Sequence, residues 1–413
     1  MEGEVNNMSS KADIFGKRLM QTAKSFYSEI VYGPGTKHFI KVLLSPIGIL
    51  GTFFLIISIL LGLVPRTSSA YSQSQTLINI LWFVFFYMSL AESWNIIGGY
   101  AGEIDFGHVL FAGMGIYTEA ILINEYNAMT WFTFLGHNFF SDILLPLVVT
   151  IIISGLSAVI IALIIGGPVL KLKGSYFAIA MLAFSQVMLI IFSFVPIPFY
   201  NTNGGTGVNV GQLSRIDPNY AMIVYMLIIG VSIVAFIIVH YVSYSRLGLS
   251  LRAIKGSPDG ASSIGINVLW TKLQAFAISA FIAGIAGAVY VLKIFDVTPD
   301  VAFDTNVTVQ MIIMTLLGGS ASVFGPVIGS LIIWPIRSIL STNLSGISFN
   351  FFGFVLNFNV AYLIVYGLIF VLAVLYLPKG IIGFLEDKGV LKRESLVTDE
   401  QLEQLRSWGK FNE

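Results

Sequence analysis

The sequence predicts an all-α polytopic membrane protein. It should have about ten transmembrane segments, two of them broken or re-entrant, and both termini cytoplasmic. Three observations predict this class. Of 413 residues, 56 % are hydrophobic and only 11 % charged, where a soluble domain averages roughly 45–50 % and 25 %. Apolar runs near the roughly 20 residues that cross a bilayer recur along the chain. Lys and Arg are distributed asymmetrically between alternate connecting segments, as membrane topology requires.

Residues 1–41 are polar and carry Lys11, Lys17, Arg18, Lys24, Lys37 and Lys41. They lack the short apolar core and small-residue cleavage site of a signal peptide, and read as a cytoplasmic extension. A transmembrane domain over 42–377 follows. Its spans are expected at 42–64, 77–97, 109–123, 143–166, 175–194, 220–243, 272–292, 308–317, 324–340 and 360–377. With the N-terminus inside, the inner segments collect eighteen of the 22 Lys and Arg. Those segments are the extension, the pair Lys171 and Lys173, the loop 244–271 with Lys272 at its edge, and the tail 378–413. Such an excess of basic residues marks the cytoplasmic side.

Two connections depart from plain spanning helices. Residues 98–108 read GGYAGEIDFGH and residues 318–329 read GGSASVFGPVIG. Both begin Gly-Gly and both contain Phe-Gly-x-Val, which suggests an internal repeat. Gly98, Gly318, Gly319 and Pro326 are the expected helix breaks. Glycine and proline at membrane depth mark interrupted helices, and paired interruptions in two halves of a transporter often flank the pathway.

Acidic residues crowd the first of these regions. Glu92, Glu103, Asp105 and Glu119 lie close together with Asn95 and His108 among them. A charge at mid-bilayer costs about 2.5–3.5 kcal/mol even on insertion scales. These acids must face a wet cavity, pair, or be protonated, unless 98–108 lies at the surface and its acids are simply solvated. With Gly99 they are candidate pathway residues. The i, i+3 spacing of Asp105 and His108 puts them on one helix face, but no second ligand pair adjoins them and no metal is assigned.

Equal numbers of basic and acidic residues, 22 each, exclude the basic field of a nucleic-acid binder. Without cysteine there is no thiol nucleophile or disulfide framework. No P-loop, HExxH or GxSxG occurs, so no enzymatic activity or resident cofactor is expected. If ATP drives this protein, partner subunits use it.

The loop 244–271, YSRLGLSLRAIKGSPDGASSIGINVLWT, opens basic and carries a helix-start signal at Pro258–Asp259. Asp259, Gly260, Ala261, Ser262, Ser263, Ile264 and Gly265 form a candidate docking helix for a soluble partner; a plain charged connector is the alternative. In the next span Ala280, Gly284 and Ala288 make a small-xxx-small packing face. The outer loop 201–209, NTNGGTGVN, is a flexible connection that could touch a delivered substrate.

Six segments in order resemble a known family. They are SWNIIGGYAG with FGHVLFAGMGIYT, LKGSYFAIAMLAFSQV, TNGGTGV, SRLGLSLRAIKGSPDGASSIGINV with KLQAFAISAFIAGIAGAVY, LLGGSASVFGPVIGSLI, and LPKGIIGF. Together they look like the LivM-type permease subunits of branched-chain amino acid ABC importers. The resemblance implies a second related permease subunit, two cytoplasmic ATPase subunits docked near 257–265, and an extracytoplasmic substrate-binding protein. It also implies a prokaryotic plasma membrane. The chain departs from the family at Glu103-Ile104-Asp105-Phe106-Gly107-His108, where Gln-Leu-Ser-Leu-Gly-His is common. It also offers Gly260-Ala261-Ser262 in place of the Glu-Ala-Ala core of many ABC permeases. Urea or short amides remain possible cargo. An ion-coupled secondary transporter using Glu92, Glu103, Asp105 and Glu119 is the alternative from a different class.

Overall fold

A computed structural model describes residues 46–62, 69–124, 144–194, 207–211, 220–344, 348–351, 354–357 and 380–388, with isolated positions between the last two. The whole of the expected extension 1–41, and most of the expected span 360–377 and of the tail 378–413, therefore lie outside the described residues.

The first helices are α1 (Pro46–Gly62), α2 (Ser69–Trp94), α3 (Val109–Asn124), α4 (Leu145–Val169) and α5 (Ser175–Phe194). After strand β1 (Val208–Asn209) come α6 (Tyr220–Tyr244), the short helices α7 (Arg246–Gly256) and α8 (Pro258–Ser263), and the long α9 (Val268–Ile294). Strand β2 (Asp296–Val297), α10 (Pro299–Ala302), α11 (Thr305–Gly318) and α12 (Gly325–Leu344) follow. A hairpin of β3 (Ser348–Phe351) and β4 (Phe354–Asn357), and α13 (Gly380–Asp387), complete the described chain.

Seven stretches among the described residues are long and apolar enough to cross a membrane. They are Gln75–Ala101, α4, α5, α6, α9, Pro299–Gly318 and Gly325–Thr342. Two expected spans are shorter. The 16 residues of α3 rise about 24 Å, under a hydrocarbon core of about 30 Å, and α1 has 17 residues. The expected span 308–317 is the inner part of a longer stretch, because α10 and α11 follow one another across only Phe303 and Asp304.

Helix α9 is the centre of the bundle, packing most extensively on α4 and α3 and also on α2 and α6. The small-residue face makes this possible. Ala280, Ala283, Gly284, Ala286, Gly287 and Ala288 are all buried. A Cβ on Gly287 would stand 2.1 Å from the Ala112 carbonyl oxygen, and one on Gly115 would stand 2.0 Å from that of Gly284. Only glycine lets the α3 and α9 backbones approach so closely. On the other side of α2, Trp334 of α12 stacks on Phe83 and Tyr87 with ring centroids 4.8 and 4.6 Å apart.

Two ends of the bundle are defined by contacts. At one end the α2–α3 connection meets α7 and the start of α9, and Lys173 pairs with Asp259 at 3.6 Å in solvent. Lys171, Lys173, Arg246, Arg252, Lys255 and Lys272 belong to this basic end. At the opposite end β1 pairs antiparallel with β2, Val208 against Val297. There Asn124 donates to the Asn209 carbonyl, and Lys293 to Asn79.

Candidate functional site

The basic end is organised by a change of helical pitch. Helix α2 runs into a π-helical turn, Asn95–Ala101, which ends at Gly102 with φ 76°. Gly98 lies inside this turn, and the chain leaves helical conformation at Gly102. Single π turns within α-helices are frequent at functional sites. The side chains show why this one forms here. The Trp94 indole lies across Gly98, where a Cβ would be 2.2 Å from the ring, and its Nε1 donates to the Asp105 carbonyl at 2.9 Å. Asn95 is drawn sideways. Its Nδ2 donates to the Ser322 carbonyl and its Oδ1 accepts from the Ala321 amide, both at 2.9 Å.

Those partners belong to the second Gly-Gly connection. Helix α11 ends at Gly318, Gly319 caps it with φ 128°, and Pro326 is the second residue of α12. The two connections that share the Gly-Gly and Phe-Gly-x-Val pattern thus touch through Asn95. A Cβ on Gly99 would meet the Ala321 amide nitrogen at 2.7 Å. Gly380 closes over the same place, its hypothetical Cβ 2.6 Å from the Gly319 Cα.

The acids find three different environments. Glu103 pairs with Lys272 of α9, both largely buried. Asp105 is fully buried: Oδ1 accepts from the Gly107 amide and Oδ2 meets His108 Nδ1, each at 2.9 Å. The other ring nitrogen, Nε2, lies 2.6 Å from Ser93 Oγ, which also donates to the Ser279 carbonyl; Ser279 Oγ returns a bond to the Ser93 carbonyl. This buried chain of bonds ties α2, the α2–α3 connection and α9 together. Glu119 sits apart, towards the opposite end, where Thr150 and Ser154 of α4 donate to its two oxygens at 2.7 and 3.0 Å. Glu92 is fully buried, and neither of its carboxyl oxygens has a hydrogen-bond partner among the described residues.

Residues that sequence reasoning did not single out complete the site. Lys255 Nζ of α7 donates to the Gly99 carbonyl at 2.8 Å, and Arg252 lies over the Tyr100 ring at 5.1 Å. Partial burial of the ammonium, and then the neighbouring Arg252 cation, hold Lys255 below the ordinary lysine range. Ser93, Ser279, Thr150 and Ser154 give no signal of their own, because a serine or threonine in an apolar helix usually bonds its own backbone. Lys255 and Lys272 were legible only as orientation charges. No group of three or more potential metal ligands occurs among the described residues.

Helix α8 carries the candidate docking residues. Ser257 caps it, its Oγ accepting from the Gly260 amide. Asp259, Gly260, Ser262, Ser263, Ile264 and Gly265 are exposed and only Ala261 is buried. Ile264 is 75 % exposed, an apolar side chain in water at the basic end.

A bundle of span-length apolar helices with buried carboxylates and paired helix interruptions is an arrangement found in transport proteins. The chain belongs to the family described as branched-chain amino acid transport system permease component, whose model matches residues 76–375. It is 23 % identical to the high-affinity branched-chain amino acid transport system permease protein LivM of Escherichia coli, over 76 % of this chain and 71 % of that one. To the probable branched-chain amino acid transport permease protein LivM of Methanocaldococcus jannaschii it is 24 % identical, over 73 % and 92 %. A shorter stretch, 26 % of this chain, is 34 % identical to the D-allose transport system permease protein AlsC of Escherichia coli. No solved structure matches the chain. It is thus a membrane transport subunit of an ABC transporter complex, not an enzyme.

Proposed function

We propose that this chain is the permease subunit of an ATP-driven importer for branched-chain or related amino acids in a prokaryotic plasma membrane. It forms the translocation pathway with a second, related permease subunit. Two cytoplasmic ATPase subunits dock on Asp259–Gly265 and hydrolyse the ATP, and an extracytoplasmic binding protein delivers the substrate. The basic end is the cytoplasmic end, in keeping with the distribution of Lys and Arg.

The observation that carries this reading is the exposed α8 with Ile264, joined directly to α7, which packs on the π-helical turn. Helix α8 is separately capped and exposed, as a docking element must be, and α7 behind it reaches the first interrupted helix. Glu103, Asp105 and Glu119 are occupied by partners in the chain, and Glu92, fully buried and without a partner among the described residues, shapes the pathway as an uncharged group. Asn95, Gly99 and His108 shape the wall.

Asp259→Lys combined with Ile264→Asp tests the docking assignment. The protein should insert normally and lose co-purification with the ATPases. Unchanged co-purification refutes the assignment. Uptake by this chain alone, indifferent to ATP and abolished by a protonophore, refutes the importer reading and favours ion coupling.

A further inference from the structure

Helices α7 and α8 are joined by one residue. Ser257 ends α7, its amide bonded to the Ala253 carbonyl, and begins α8, its Oγ accepting from Gly260. No flexible linker separates them, so a push on α8 must move α7. The inner face of α7 is anchored: Leu251 and Ile254 are buried, and the helix packs against α6, α9 and the π-helical turn. Its polar side chains grip that turn. Lys255 takes the Gly99 carbonyl and its stem lies on Gly102, whose hypothetical Cβ would be 2.8 Å from Lys255 Cγ. Arg252 covers Tyr100 and donates to Ser243 at the end of α6.

The turn so gripped is the least regular part of α2. A π turn holds one extra residue per turn, and its carbonyls lack the regular i+4 partner. Through Asn95 it is bonded to the α11–α12 connection, and Glu103, whose amide donates to the Ile97 carbonyl of the turn, pairs with Lys272. A single hydrogen bond from α7 therefore reaches the place where both interrupted helices meet.

We propose that Lys255 is a positioning residue for transport: its bond to the Gly99 carbonyl carries displacement of the α7–α8 segment into the π-helical turn of α2 and thence to the α11–α12 connection. This deepens the importer reading and rests on it. Lys255 is outside the surface assigned to ATPase docking, so losing it should separate hydrolysis from transport without dissociating the complex. That separation distinguishes a coupling role from a role in assembly.

The test uses the complete complex in liposomes, with radiolabelled leucine as the probe. In Lys255→Met, ATPases should co-purify and hydrolysis should persist at half the wild-type rate or more, while uptake falls at least ten-fold. Lys255→Arg keeps a cationic donor and should recover at least half of the uptake. Uptake within two-fold of wild type in Lys255→Met overturns the proposal, as does loss of the ATPases from that variant, or Lys255→Arg no better than Lys255→Met.

A second arm does not depend on removing the contact. The chain has no cysteine, and a Cβ at position 102 would be 3.6 Å from that of Lys255, within the roughly 3.5–4.5 Å span of a disulfide. Because Gly102 has φ 76°, a conformation strained for cysteine, the single variant Gly102→Cys sets the reference: relative to it, Gly102→Cys/Lys255→Cys should be uncoupled when reduced and regain uptake when oxidised, because a covalent link replaces the hydrogen bond. A fully formed disulfide that leaves uptake at the reduced level overturns the proposal. Failure of the underlying reading has a different signature, visible in the wild-type arm: no ATPase accompanies the chain and leucine enters without ATP.

Discussion

Replacing Asp105 by alanine removes the one acceptor shared by two buried donors, the Gly107 amide and His108 Nδ1. Neither has room to turn to solvent. Asp105 and His108 have no exposed surface, and Gly107 is pressed against α5, where a Cβ would lie 2.0 Å from the Met181 carbonyl oxygen. Each stranded buried donor costs about 1–3 kcal/mol, so the substitution should cost about 2–6 kcal/mol in all. Asp105→Asn keeps an oxygen for the Gly107 amide and should lose roughly half as much. His108→Ala removes the other half of the pair. Residues in one network are not additive, so the double variant Asp105→Ala/His108→Ala should fall short of the summed single losses by about 1–3 kcal/mol. Unfolding by SDS titration in mixed micelles, followed by tryptophan fluorescence, measures all four. Additive losses, or an Asp105→Ala protein as stable as wild type, would refute the reasoning that this pair closes the α2–α3 connection.

Two further perturbations probe the packing around it. Lys272→Ala leaves the Glu103 carboxylate largely buried without its partner and should cost about 3–5 kcal/mol; the exchanged pair Glu103→Lys/Lys272→Glu should recover part of that in the same titration. Gly287→Val drives a Cβ into the Ala112 carbonyl oxygen and should cost about 1–3 kcal/mol or more by forcing α9 from α3. By contrast, Gly230→Ala in α6 meets nothing within 4 Å and should be neutral or slightly stabilising by melting temperature, since alanine favours the helix by up to about 1 kcal/mol.

The two Gly-Gly connections show how far local sequence carries. Their shared pattern is visible on the page, and so is the expectation of interrupted helices. What the pattern does not contain is that the connections touch, because Asn95 and Ser322 are 227 residues apart. The site of the break shows the same limit. Gly98 and Gly99 are small to admit the Trp94 ring and the Ala321 backbone, whereas the residue whose backbone turns is Gly102.

The sequence by itself determined the class of this protein. An apolar chain with few charges must place its helices in lipid, because only helices or closed barrels satisfy the backbone there. Its basic residues predict which end meets the cytoplasm. The sequence also required that the crowded acids be paired, solvated or neutral, since an exposed charge in hydrocarbon is too costly. Only the tertiary structure decided among those fates. Glu103 takes Lys272, Asp105 takes His108, Glu119 takes two hydroxyls from α4, and Glu92 has no bond among the described residues. The partners come from helices far away in the chain. Helical periodicity gives the face on which a side chain lies, whereas its partner depends on which helix packs on that face. Here glycines in α3 and α9 set that packing by letting the two backbones meet.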